Sequence, residues 1–133
     1  LKDRCSTMAD NLICYCGDVG DIEFVKNVTE DFLNHYGKID ILINNASILL
    51  DAPLIGISKG KLRKLPLENW NKTIASNLTG VFYFSREVAE KMFMKRTKGL
   101  IINVSSISSV GNSGQTAYAA AKEIGRASCR ERV

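Results

Sequence analysis

A chain of 133 residues with 45% hydrophobic and 24% charged residues has the make-up of one modest α/β domain, and this argues against disorder. No apolar run approaches the roughly 18 to 20 residues of a membrane helix, and the opening LKDRCSTMADNLICYC lacks the basic flank, apolar core and small-residue cleavage site of a secretory leader. The net charge of +4 is scattered apart from KGKLRK at 59–64, which reads as a solvated loop because no stacking aromatics accompany it; neither nucleic acid nor a membrane is an expected partner.

The four cysteines, Cys5, Cys14, Cys16 and Cys129, and the single histidine, His35, do not make a zinc ligand set, so no metal is expected. Reduced thiols fit better, and the expected location is the cytoplasm.

In chain order, NLICYC (11–16) is a short apolar run suited to a strand that stops at Gly17-Asp18. Asp21 can cap a helix. Beyond it, Ile22, Val25, Val28, Phe32 and Tyr36 recur at steps of three and four, and Gly37 supplies a C-terminal stop. IDILIN (39–44) follows at once, rich in β-branched isoleucine, the pattern of a parallel strand covered on both faces. Residues 46–66, with Pro53, Gly56, Gly60 and Pro66, form a connection too long for a routine turn. A long helix is expected from Leu67 to about Lys98, closed by Gly99. LIINV (100–104) is then a third buried strand, followed by the small polar stretch SSISSVGNSGQTA and a helix opening near Tyr118. Strand and helix in alternation predict a doubly wound parallel sheet, with any site in the crevice beyond the strands' carboxyl ends.

Four features are candidates to carry chemistry. Tyr118 and Lys122 stand four apart on one helix, so a phenol and an ammonium can converge on one ligand; Tyr and Lys at that spacing are also ordinary surface neighbours. Asn77 and Gly80 lie inside the long helix, where each is less favourable than alanine by roughly 0.5 to 1 kcal/mol. Either a side chain or a loosened carbonyl there holds a water behind a site, or the helix is merely irregular. Asn44-Asn45 and Ser105-Ser106 follow buried strands, as turn formers or as site residues.

Taken together, GDVGD (17–21), IDILINNAS, SNLTGVF, IINVSS and YAAAK, in this order, resemble the classical branch of the short-chain dehydrogenase/reductase family, from about residue 12 to Lys122. The wording GLIINVSSISSVGNSGQTAYAAAK is most similar to 3-oxoacyl-[acyl-carrier-protein] reductases of fatty acid biosynthesis. The resemblance implies a partial Rossmann-like fold, three-layer α/β/α and truncated at both ends, in which residues 1–122 are the central part of a dinucleotide-binding domain. It implies an NAD(P)-dependent oxidoreductase that reduces a carbonyl to an alcohol, with NADP(H) ahead of NAD(H), a small-molecule or acyl-thioester substrate and a homo-oligomeric parent protein. Other substrates within the family are sugars, steroids and small alcohols, and a truncated chain without independent activity is the rival expectation.

Residue by residue, the resemblance sets Asp18 and Val19 against the adenine and Asn45 and Ala46 along the cofactor's ribose. Tyr118 is the proton donor to the carbonyl oxygen. Lys122 holds the nicotinamide ribose and favours the Tyr118 phenolate, and Asn77 anchors a water that relays protons toward Lys122. Ser106 hydrogen-bonds the substrate oxygen by strand register, whereas the usual spacing to the tyrosine points to Ser105.

Three departures stand out. Ser47 replaces the glycine of NNAG, which brings strain if that position needs a positive φ. The connection 47–66 is several residues longer than usual. The family's TGxxxGxG turn, which binds the pyrophosphate, has no counterpart among the ten glycines. The stretch EIGRASCRERV (123–133) is similar to translated read-through of a sequencing adapter, and is expected to lie outside the functional chain.

Overall fold

The computed structural model describes residues 12–128, with side chains through Glu123. Helix α1 (Ile22–Tyr36) begins where Asp21, in extended geometry, accepts a hydrogen bond from the Glu23 amide, and ends at Gly37, whose φ of 78° lets its amide reach Leu33 O. The predicted stripe is its inner face: Val25 is fully buried and Phe32 packs toward the core. Strand β1 (Ile41–Asn44) follows.

The chain then differs from expectation. Within the long connection, β2 (Ile55–Ser58) and β3 (Lys61–Lys64) form an antiparallel hairpin, so the cationic stretch 59–64 is mostly a strand rather than a solvated loop. Its tip is Lys59-Gly60, with φ of 51° and 72°. Two successive positive φ values are what a two-residue hairpin turn of matching twist requires, and Gly60 supplies one of them without strain.

The expected helix 67–98 is three pieces. Helix α2 (Leu67–Ile74) runs into a π-helical turn (Ala75–Thr79), and α3 (Gly80–Met94) continues from it. The Gly80 amide donates to Ala75 O, five residues back, which widens the coil around Asn77. Gly99 does not close the helix. Lys95 ends it, and Arg96 takes the left-handed position with a φ of 52°. Gly99 answers to another need, since a Cβ there would meet Met92 Sδ at 2.3 Å.

Strand β4 (Leu100–Asn103) pairs in parallel with β1, Ile41 opposite Leu100 and Asn44 opposite Asn103. A 3-10 turn (Ile107–Val110) and helix α4 (Thr116–Ser128) complete the described chain. The core lies where Val88 and Met92 of α3 meet Ile39, Leu42, Ile101 and Phe32. Emptying such a position to alanine typically costs about 2 to 5 kcal/mol.

The fold is α/β with a parallel pair at its centre. Leu42 and Ile101 face the helices, while Ile41, Ile43, Leu100 and Ile102 on the opposite face are exposed, so among the described residues helices cover one side of the pair only. Segment 12–16 is not a strand. An extended run becomes one only with a ladder partner, and none of the described strands pairs with it. Residue 11 and the side chains of 124–133 lie outside the described residues, and the expectation for the tail lies there with them.

Candidate active site

The parallel register brings the carboxyl ends of β1 and β4 side by side, and two asparagines lock them. Buried Asn44 donates through Nδ2 to Asn103 Oδ1 at 2.7 Å and to Ser85 Oγ at 3.0 Å. Asn44 is therefore a clamp between strands and α3, not a turn former. Its position two residues past inward-facing Leu42 was the available signal.

Next to this clamp, Val19, Asn45 and Ala46 converge with Ser76, Gly80 and Phe84 on a cavity of about 220 Å³. Gly80 makes the convergence possible. A Cβ there would lie 2.8 Å from Val19 Cγ2 and 2.9 Å from Val19 O. Asp18 stands at the edge of the group and shapes the turn, its Oδ1 accepting from the Gly20 amide at 2.8 Å and its backbone carbonyl from the Asp21 amide.

A second group gathers around the π turn. Asn77 is fully buried, and its side-chain amide takes both backbone polar groups of Ile48, donating to Ile48 O and accepting from Ile48 N at 2.8 Å each. This pins the chain just beyond Ser47, which is held without a positive φ, so the serine in place of glycine brings no left-handed strain. Lys122 is buried, and its ammonium donates to Val104 O at 3.0 Å. The Lys122 Nζ lies 5.6 Å from the centroid of the Tyr118 ring, so phenol and ammonium are neighbours as their spacing implies. Asn77, Asn103, Ser105 and Lys122 line a cavity of about 10 Å³, close to the smallest that holds one water.

The two serines are committed differently. Ser105 donates its hydroxyl proton to Lys122 O at 3.2 Å. Ser106 accepts from the Ser108 amide at 3.1 Å, capping the 3-10 turn, and this leaves its own proton available to another acceptor. Among the described residues no cluster of three or more His, Cys, Asp or Glu side chains is arranged to hold a metal, and no helix is long and apolar enough to cross a membrane.

The chain can now be set beside known proteins. The model of the family described as short chain dehydrogenase matches residues 1–130. The 3-oxoacyl-[acyl-carrier-protein] reductase FabG of Thermotoga maritima is 40% identical over 109 residues, which cover 81% of this chain and 41% of that protein. The protein of the same name from Haemophilus influenzae is 37% identical over 123 residues, covering 86% and 47%. A crystal structure of NAD+-bound xylitol dehydrogenase superposes with a TM-score of 0.71 at 28% identity, over 82% of this chain and 39% of that one. The chain thus spans less than half the length of these relatives. The match along nearly the whole sequence decides the matter: this chain belongs to the short chain dehydrogenase family and is by family an oxidoreductase.

Proposed function

We propose that the protein carrying this chain reduces a carbonyl to an alcohol at the expense of a nicotinamide cofactor, and that its substrate is a 3-oxoacyl thioester on a carrier protein. The observation that carries the reading is the juxtaposition of the Tyr118 ring and the buried Lys122 ammonium at the strand ends. Phenol and ammonium one helical turn apart can address one ligand, so Tyr118 can serve as proton donor to a bound carbonyl while Lys122 orients that ligand.

Val19, Asn45 and Ala46 suit a nucleoside, because their cavity combines apolar walls with a few polar groups, Asn44, Asn45 and Ser76. Asp18 and Val19 would hold the base, and Asn45, Ala46, Tyr118 and Lys122 the ribose portions. When bound, the cofactor supplies the hydride. The protein's own part is to orient and to move protons. Ser106 donates to the substrate oxygen, for which its proton is available, while that of Ser105 is engaged. Tyr118 protonates that oxygen. The cavity bounded by Asn77 and Lys122 has the volume of a single relay water. NADP(H) is taken before NAD(H) because the reaction is read in the reducing direction. Exposed Phe82 and Phe93 on α3 suit a homo-oligomeric contact, and the free thiols Cys14 and Cys16 suit the cytoplasm.

The test is substrate-dependent oxidation of NADPH by the full-length protein with acetoacetyl-loaded carrier protein. Tyr118→Phe is expected to slow it by about 10² to 10⁴-fold; undiminished turnover refutes the role of Tyr118. The likeness to xylitol dehydrogenase favours a second reading, oxidation of a polyol with NAD+, and faster turnover of xylitol than of the thioester would establish it.

A further inference from the structure

The hairpin β2–β3 has the properties of a binding arm. Residues 52–66 contain no acidic side chain, while Lys59, Lys61, Arg63 and Lys64 put four cations into six positions. Residues directly opposite in an antiparallel pair share a face. The register therefore sets Ile57 with Leu62 on one face and places Lys61 and Arg63 on the other. Ile57 and Leu62 are 80% and 66% exposed, and Ile55 beside them is also exposed. A turn-stabilised hairpin with an open apolar pair on one face and Lys61 and Arg63 on the other is a surface prepared for a partner.

The hairpin's root fixes where that partner would stand. Ala52 forms a parallel bridge to Gln115, and Gln115 Nε2 donates to Asp51 Oδ2 at 2.6 Å. Gln115 immediately precedes α4, three residues before Tyr118. The root of the hairpin is thereby tied to the start of the helix that carries Tyr118. Pairing with a second copy of the hairpin is opposed by charge, because edge lysines repel a like edge.

We propose that hairpin 55–64 docks an acidic carrier protein through its Lys61–Arg63 face and the Lys59 tip, these cations meeting carboxylates, so that the thioester is delivered to Tyr118. The proposal rests on the reading of the substrate given above. An anionic membrane would also attract such an arm, but would bring nothing to the site at its root.

The full-length protein and its Lys61→Glu/Arg63→Glu variant decide the matter, with fluorescently labelled acyl carrier protein as the probe in anisotropy. The variant is expected to bind about tenfold more weakly and with a flatter salt dependence. Its kcat/KM for acetoacetyl carrier protein should fall alike through KM, while turnover of neutral acetoacetyl-N-acetylcysteamine stays the same. The Lys61→Arg/Arg63→Lys swap should restore both. Carrier affinity unchanged by charge reversal overturns the proposal, as does hairpin-dependent binding to phosphatidylglycerol vesicles without binding to the carrier. Should wild-type protein fail to reduce even the neutral thioester, the substrate reading falls while anisotropy still decides the docking.

Discussion

Asn77 holds Ile48 by both of its backbone groups, through two hydrogen bonds of 2.8 Å that span 29 residues of chain. A side-chain amide thus does what a neighbouring strand would do, and ties the loop after β1 to the π turn. Asn77→Ala leaves a buried donor and a buried acceptor unpaired, at a cost of about 1 to 3 kcal/mol each at most. Asn77→Asp is worse at neutral pH, since a carboxylate then faces Ile48 O, and it recovers as pH falls and the acid regains a proton to donate. Urea midpoints and loss of protection at the Ile48 amide in hydrogen exchange check both.

How much of this was legible beforehand follows from the range of each interaction. The α1 stripe, its Asp21 cap and its Gly37 stop are local, and the structure has them as read. The Tyr118–Lys122 pairing needs only one helical turn. The hairpin at 55–64 was hidden because its strand signal is short and its charges suggested solvent, although Lys59-Gly60 is a turn pair. The π turn was visible only as a local cost at Asn77 and Gly80; its reason, the approach of Val19 and Ile48, lies far away in sequence. The Asn44–Asn103 clamp likewise depends on strand register, which no single segment contains.

Arg96 closes α3 where glycine is the usual choice. The Thr97 amide reaches Met92 O and the Arg96 amide reaches Phe93 O, the paired bonds of a Schellman closure. A side chain in the left-handed region costs about 1 to 2 kcal/mol. Arg96→Gly is therefore expected to stabilise by about 1 kcal/mol, raising the melting temperature by a few degrees. Arg96→Ala keeps the strained φ and should gain far less, which separates conformation from charge.

Gly80→Ala tests the contact between the two halves of the site. In an open helix the change would gain about 1 kcal/mol. Here the new methyl meets the carbonyl oxygen and backbone carbon of Val19, which cannot swing aside as a side-chain end can. The expected net outcome is destabilisation by about 1 to 3 kcal/mol, read by thermal unfolding. In the full-length protein, displacement of Val19 should also weaken dinucleotide binding in a fluorescence titration, by more than Gly37→Ala at the distant end of α1 does.

Tyr15 gives the pH prediction. Its hydroxyl donates to Asp31 Oδ2 at 2.5 Å, joining the segment before Asp18 to α1. That hydrogen bond, with burial and the carboxylate's charge behind it, pushes the phenol up to about 12. A raised value means that the folded state favours the protonated form. The contribution is complete below the ordinary value of about 10 and is lost as pH rises from about 10 to about 12. In an alkaline titration Tyr15 should show its phenolate absorbance as a step at about 12. Tyr15→Phe should remove that step, and Asp31→Asn should return it toward about 10. Over the same window the wild-type chain should lose more stability to urea than Tyr15→Phe does; equal losses would show that the bond contributes nothing to folding.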